Sequence, residues 1–160
     1  MMGVINVTPD SFSDGGQWNS PELGIAQGLA LAEAGADVLD IGGESTRPGS
    51  DAVSIAEELE RVLPVVRGLV KEGINFLSID TRHAETARIC LEEGVHWVND
   101  VSAGTDDPLM LQTASKADAF LLMHMRGKPK TMQKEAIVYN DVVTEVKTYL
   151  NERVLACVSA

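Results

Sequence analysis

Polar side chains that can bind a ligand follow five short apolar runs of the chain. These residues stand at or just beyond the end of each run and are Asn6, Asp40, Asp80, Asn99 with Asp100, and His124. If the runs are parallel strands, their carboxyl ends meet at one edge of a sheet, where ligands bind in barrels and open α/β sheets. One or two of these groups can instead cap strand ends, but a buried carboxylate or amide without a partner costs about 1–3 kcal/mol. The sequence therefore predicts a ligand site at this edge.

Two connections after the runs, at 7–19 and 42–53, are unusually long and rich in Gly, Ser, Thr, Pro and Asp. Long ordered loops are commonly functional. The second places hydroxyls and the Arg47 guanidinium beside glycines, a composition that suits a phosphate-bearing substrate. The sequence has no Walker loop, no G-x-G-x-x-G after a strand and no H-E-x-x-H, and no lysine at the five strand ends. Those motif-based chemistries are set aside, and a Schiff-base aldolase is disfavoured.

The elements that position these groups alternate between two periods. The apolar runs are rich in Val, Ile, Leu and Phe, as in buried parallel strands, and lie at 2–6, 38–41, 76–79, 95–98 and 119–123. Between them, apolar residues recur at steps of three and four, as in amphipathic helices. Ser54 with Glu57 forms a capping-box pattern that predicts a helix start. The order is βα repeated five times without a composition break, so we predict an α/β fold and one domain over 1–160.

Composition limits the class of protein. The 160 residues carry a formal charge of −11 and are 44% hydrophobic, which predicts one globular unit with a real core. The acidic balance argues against nucleic acid or an anionic membrane as a partner. The apolar runs are far shorter than the about 20 residues that span a bilayer, and no segment resembles a signal peptide, so we expect a cytoplasmic protein. Cys90 and Cys157 are expected to be packing residues.

Five stretches of the sequence together resemble a known family. The two most specific are MGVINVTPDSFSDGG at 2–16 and DIGGESTRPG at 40–49. SIDT at 78–81, NDVS at 99–102, and MHMRG at 123–127 with PKTMQ at 129–133 follow in order. They are similar to the strand signatures of the dihydropteroate synthases, folate-pathway enzymes that join a pterin methyl pyrophosphate to p-aminobenzoate. The resemblance covers essentially the whole chain.

The resemblance implies a TIM (β/α)₈ barrel with site residues at its strand ends. Asn6 would help to hold a Mg²⁺ ion that rides on the substrate pyrophosphate. Asp80 and Asn99 would lie under the pterin ring, where a carboxylate accepts from ring donors and an amide offers both a donor and an acceptor. His124 would belong to the same substrate site, and a packed core histidine is the alternative for it.

The first two long loops carry the remaining roles that the resemblance implies. Thr46 and Arg47 would lie near the pyrophosphate and the second substrate, and Phe12 and Pro48 would frame p-aminobenzoate and its sulfonamide mimics. Pyrophosphate would leave the exocyclic methylene while the arylamine attacks it. Asp10 would stabilise the pterin cation that develops, and Arg47 would neutralise charge on the leaving group.

The chain departs from this family in length. A complete barrel has eight strands in about 250 residues, so five units are expected to form part of a larger barrel. The family's later Asp-Pro-Gly, Ser-Arg-Lys and Arg-x-His stretches have no counterpart here. Open edge strands predict a homo-oligomer and a chain that by itself does not turn over. Two alternatives stay open: a non-catalytic half-barrel that acts as a binding or assembly partner, and a pterin-binding methyltransferase domain, which shares the fold but lacks the TPDSF and STRPG loops.

Overall fold

The computed structural model describes residues 1–8, 20–45, 53–125 and 138–160. Strands and helices alternate in these residues in the predicted order. Their bounds are β1 Met2–Asn6, α1 Pro21–Glu33, β2 Val38–Gly42, α2 Ile55–Lys71, β3 Leu77–Asp80, α3 Ala84–Glu92, β4 Trp97–Asp100, α4 Met110–Ala114, β5 Ala119–Leu122 and α5 Val142–Val158. The Ser54 hydroxyl accepts from the Glu57 N–H at the start of α2, as the capping pattern predicts.

β4 begins two residues later than its apolar run predicts, because Val95 still belongs to the turn that ends α3. Gly94 has a φ of +99°, and the Val95 N–H donates to the Cys90 carbonyl at 3.1 Å. This is the Schellman ending of a helix, in which glycine takes the left-handed position. A residue held by the helix end cannot also pair with the next strand.

The five strands form one parallel sheet in the order β1-β2-β3-β4-β5. Each strand pairs with the next strand along the chain, so each of the helices α1 to α4 connects two neighbouring strands. This sequential order is that of a TIM barrel, whereas a doubly wound sheet reverses its strand order at a switch point. The predicted barrel-type fold is confirmed for these five units.

The core lies between one face of the sheet and helices α1 to α3. Ile5, Ile41 and Ile79 are fully buried on that face, and Leu69 packs against them from α2. A Cβ on Gly28 would lie 2.7 Å from the Leu69 Cδ2 atom, so glycine allows α1 and α2 to approach closely. The opposite face of the sheet is left to the polar residues of the predicted site.

α5 packs less deeply than the other long helices, because none of its residues is buried against the described part of the chain. Val142, Val146 and Leu150 line an open apolar groove on it. The predicted self-association of the chain stays a prediction. Among the described helices, none combines the length and the apolar character that crossing a bilayer requires.

Candidate functional site

Strand register brings three of the predicted site residues to one level at the carboxyl ends of the strands. Asn6 pairs with Gly42, Gly42 with Asp80, and Asp80 with Asn99. A Cβ on Gly42 would lie 3.5 Å from the Asp80 Cβ, so the glycine leaves space beside the Asp80 carboxylate. The sheet therefore presents an amide, a carboxylate and a second amide in one row.

A second polar row lies one layer deeper on the same face. Asp40 pairs with Ser78, and the Asp40 side chain is buried at 4% exposure. The Asn99 Nδ2 donates to the Asp40 Oδ2 at 2.9 Å. Within the described residues, the Asp40 Oδ1 and the Ser78 Oγ have no hydrogen-bond partner. Because buried polar atoms are nearly always paired, these atoms mark the floor of a site that can take a polar ligand or ordered water.

Asp40 fixes the orientation of the Asn99 amide. A carboxylate oxygen can only accept, so the Asn99 side chain must turn its NH₂ group toward Asp40. The Asn99 Oδ1 and one remaining N–H are then available to a ligand. Sequence analysis placed Asp40 at a strand end but gave it no role, because the contact between residues 40 and 99 exists only in the folded sheet.

Asp80 has a strongly perturbed acidity. Burial, followed by the negative charges of Asp40, Glu58, Asp100 and Glu44, raises the pKa of Asp80 to about 7. At neutral pH the carboxyl group is therefore divided between its two protonation states. A ligand that donates hydrogen bonds to Asp80 stabilises the ionised form, which couples ligand binding to proton release.

Asp100 serves the turn after β4 and not the row of Asp80 and Asn99, because successive side chains of a strand point to opposite faces. Its carboxylate accepts from the Ser102 N–H at 2.7 Å, the Ser102 hydroxyl at 2.9 Å and the Gly104 N–H at 2.8 Å. Ala103 between them has a φ of +53°. Asp100 therefore caps the end of its strand, which is the alternative given for such residues in the sequence analysis.

His124 lies against aromatic side chains. Its ring is perpendicular to that of Tyr149 on α5, with 5.0 Å between the ring centroids, and 6.2 Å from that of Tyr139. These contacts favour the packing alternative. Its role in substrate binding stays a prediction.

An ion-pair network joins the loops that follow β2, β3 and β4. The Arg82 guanidinium binds both carboxylate oxygens of Glu44, at 2.9 Å each, and the Asp106 Oδ2 at 3.1 Å. These partners stand 38 and 24 positions from Arg82 along the chain. Sequence analysis missed the network, because no local pattern connects residues so far apart.

Within the described residues, the side chains of Glu44, Glu58 and His83 form a cluster of the kind that can bind a metal ion. One ligand atom from each lies within 4.8 Å of the others. The buried Glu58 Oε2 accepts from the Thr86 hydroxyl at 2.6 Å and lies 2.8 Å from the His83 Nδ1, while Arg82 occupies Glu44. Arg82 and His83 already bind these carboxylates, so the described geometry is that of a hydrogen-bonded network of acidic and basic side chains.

The hydrogen bond between His83 and Glu58 predicts a pH-dependent stability. This bond raises the pKa of His83, and partial burial opposes the shift. A raised folded pKa means that the stabilisation is present below the ordinary histidine value of about 6.5 and is lost as pH rises through the folded pKa. We expect His83→Gln to lower the free energy of unfolding by about 1–2 kcal/mol at pH 6, with the difference shrinking at higher pH.

Urea unfolding at a series of pH values measures this effect. Glu85→Gln is the matched control, because Glu85 is an exposed carboxylate on the same helix whose partner is Arg88. The control is expected to follow the wild-type pH profile. A constant difference between His83→Gln and wild type from about pH 6 to 9 would show that folding does not raise the pKa of His83.

The family of the chain follows from comparison with known proteins. The family model described as "Pterin binding enzyme" matches residues 2–160. The chain belongs to the pterin-binding enzyme family. The resemblance to dihydropteroate synthases is confirmed by the relatives within this family, whose similarity extends over nearly all of the chain.

One such relative is a dihydropteroate synthase of Synechocystis sp., 44% identical over 155 residues that cover 96% of this chain and 53% of the relative. A Yersinia pestis dihydropteroate synthase, solved as a sulfonamide drug complex, is 41% identical with a TM-score of 0.89, over 99% of this chain and 57% of that one. A Xanthomonas albilineans dihydropteroate synthase with 4-aminobenzoic acid is 48% identical with a TM-score of 0.87, over 98% and 55%. The chain thus spans about half the length of these relatives.

Several residues that the dihydropteroate synthase motifs single out lie outside the described residues. These are Asp10, Phe12, Thr46, Arg47 and Pro48. Their roles stay predictions. Asn6 is described: it is exposed at the end of β1, and its amide makes no hydrogen bond within the described residues. One free amide oxygen fits a Mg²⁺ ion that keeps most of its waters and takes other ligands from substrate phosphates.

Proposed function

We propose that the natural gene product is a dihydropteroate synthase. It condenses 6-hydroxymethyl-7,8-dihydropterin pyrophosphate with p-aminobenzoate and releases pyrophosphate. The observation that carries the proposal is the row of Asp80 and Asn99 above the buried, incompletely paired Asp40. The family membership and the kinship to a relative solved with 4-aminobenzoic acid support the same assignment.

The row suits a flat heterocycle that carries several N–H donors. Asp80 accepts from a ring N–H and an exocyclic amino group, as a carboxylate with two oxygens can. Asn99, held by Asp40, offers one acceptor and one donor to the same ring. This complementarity favours the pterin over the arylamine for this part of the site, since the arylamine has only one amino group.

The reaction forms a bond between the arylamine nitrogen and the exocyclic methylene carbon, and breaks the bond between that carbon and the pyrophosphate oxygen. The electron pair of the broken bond leaves with pyrophosphate, and the amine gives one proton to solvent. Arylamines are neutral and nucleophilic at pH 7, so stabilisation of charge matters more than a general base. Arg47 neutralises the negative charge on the departing pyrophosphate, and Asp10 stabilises the cation that develops on the pterin. Thr46, Phe12 and Pro48 hold the second substrate.

The Asn6 amide oxygen would help to hold a Mg²⁺ ion, which would supply neutralisation of charge on the pyrophosphate. Asn6 stands at the exposed end of β1, in the row of Gly42 and Asp80. It therefore contributes by orienting one amide oxygen toward the position of the leaving group. The carboxylates of the ion-pair network are held by Arg82 and His83 and do not take part.

Asn6→Ala is expected to raise the Mg²⁺ concentration that gives half-maximal release of pyrophosphate by about three- to tenfold, because the ion would lose one neutral oxygen ligand and keep its waters and substrate phosphates. The rate at saturating Mg²⁺ should fall less, because the substrate phosphates keep their own contacts with the ion. A Mg²⁺ titration of the two proteins measures this. Gln27→Ala, an exposed amide on α1, serves as control. An unchanged half-maximal concentration would remove Asn6 from the metal site.

The proposed function is tested by incubating the natural gene product with the dihydropterin pyrophosphate and p-aminobenzoate. Dihydropteroate and pyrophosphate should appear in equal amounts, and a sulfonamide should compete with p-aminobenzoate. Binding of the pterin without any product would contradict the proposal and favour the binding-partner alternative. Methyl transfer from a reduced folate would favour the methyltransferase alternative.

A further inference from the structure

Side-chain hydrogen bonds hold both ends of the connection between β2 and α2. At its start, the Gly43 carbonyl accepts from the Arg61 Nη1 of α2 at 2.8 Å. The Glu44 Oε1 then reaches across to the Val53 N–H, where the connection returns to α2, at 3.4 Å. The carboxylate of Glu44, at the start of the connection, thus binds the backbone at the end of the same connection.

Glu44 depends on Arg82 for its position. Two parallel N–H···O bonds of 2.9 Å form the bidentate pair of guanidinium and carboxylate, which fixes direction as well as distance. The Glu44 side chain is 9% exposed, and that of Arg82 is 22% exposed. Water therefore screens this pair less than a surface ion pair.

Arg82 also ties this connection to the two loops that follow along the sheet. It stands two residues after Asp80 at the end of β3, and its Nη1 binds Asp106 in the loop after β4. The neighbouring Asp107 accepts from the Ala84 N–H at the start of α3 at 2.9 Å. Three consecutive loops at the carboxyl ends of the strands are thereby joined through one guanidinium.

The charge balance at Arg82 argues against a direct role with an anionic substrate. Two carboxylates neutralise the guanidinium and raise the pKa of Arg82, with the hydrogen bond that Arg82 donates to Glu44 as the largest cause. A guanidinium committed to Glu44 and Asp106 has little attraction left for a pyrophosphate. The arrangement is suited to holding chain segments in place.

We propose that Arg82 is a positioning residue, which through Glu44 holds the ends of the β2 to α2 connection and so supports the binding of p-aminobenzoate by Thr46 and Pro48, which this connection carries in the sequence. The part that concerns p-aminobenzoate rests on the proposed function. The part that concerns Glu44, Val53 and Arg82 rests only on the described contacts. The two parts can be tested separately.

Hydrogen exchange of the backbone amides from 43 to 54 tests the contacts. Arg82→Gln and Glu44→Gln should each speed exchange in this segment by about tenfold, because the ends of the connection open more often. The double variant should add little to either single change. Arg88→Gln, which removes a guanidinium whose partners among the described residues all lie within α3, should leave the segment unchanged. If Arg82→Gln does not fold, Arg82→Lys, which keeps the charge but loses the bidentate pair, replaces it.

Steady-state kinetics of the same variants test the positioning. Arg82→Gln should raise KM for p-aminobenzoate by about five- to twentyfold and change kcat and pterin affinity by less than about threefold, with Arg82→Lys in between. Unchanged exchange overturns the proposal, and so does faster exchange with unchanged KM. If the wild type makes no dihydropteroate, the proposed function fails, and exchange alone then decides whether Arg82 holds the connection.

Discussion

Replacing Asp80 with asparagine is expected to weaken pterin binding by about ten- to a hundredfold, because the variant loses the charged acceptor of the ring donors. The same change should stabilise the fold. Burial raises the pKa of Asp80 to about 7, so folding keeps a proton on Asp80 that the unfolded chain releases above about pH 4. Stability therefore falls as pH rises from about 4 to 7 and stays lower above that range.

The gain in stability should be about 1–3 kcal/mol at pH 8. Water reaches the half-buried side chain, which reduces the effect below what the pKa shift alone would give. The gain should vanish below about pH 3, where the carboxyl group is neutral in both states. Denaturant unfolding at both pH values measures it. A loss of ligand affinity combined with a gain in stability is typical of a residue kept for function.

The pH dependence of affinity gives an independent test of Asp80. Pterin donors favour the ionised carboxylate, so the affinity of the wild type should rise between about pH 6 and 8 and then level off. In Asp80→Asn this rise should be absent. His124→Gln is the control and should weaken binding less, because His124 packs against Tyr149. Equal affinities of wild type and Asp80→Asn in calorimetric titration would end the assignment of Asp80 to the pterin site.

The fold was predictable from sequence where local patterns determine structure. Five apolar runs and the periodic stripes between them are enough for five βα units, because buried parallel strands and amphipathic helices have distinct periods. The shift of β4 at Val95 shows the limit. Apolar character alone does not tell whether a residue closes the preceding helix or opens the next strand, and both environments are buried.

The sequence was enough to predict the row of polar residues at the strand ends. It was not enough to predict the ion pairs and hydrogen bonds that connect the loops around this row. Asp80 and Asn99 follow their strands in sequence, and parallel pairing then brings them together. Asp40 acquires its role from a hydrogen bond to a residue 59 positions away, and Arg82 from partners in two other loops. These contacts depend on how the strands stack and how far each side chain reaches, which a single sequence does not state.

Arg47 carries the second large expected effect. Arg47→Ala in the natural gene product should lower kcat/KM by about 10- to 1000-fold, since a charge-assisted contact of about 1.5–3 kcal/mol, or more in a dry site, is lost. Much of the loss should appear in kcat, because charge builds on the pyrophosphate oxygen as its bond to carbon breaks. Arg47→Lys should recover part of the rate, because an ammonium group keeps the charge but lacks the planar set of donors that a guanidinium offers to a phosphate.

The kinetic signature separates Arg47 from Arg82. A residue that stabilises the leaving group changes kcat, whereas one that places a loop changes mainly KM for the second substrate. Arg88→Ala, an exposed cation paired within α3, controls for the loss of a positive charge in a chain of net charge −11. A decrease in kcat/KM of less than about threefold in Arg47→Ala would mean that Arg47 is a solvated loop charge. Neutralisation of the pyrophosphate would then fall to Mg²⁺ and to other cationic groups of the natural protein, and the position set by Arg82 would serve the arylamine alone.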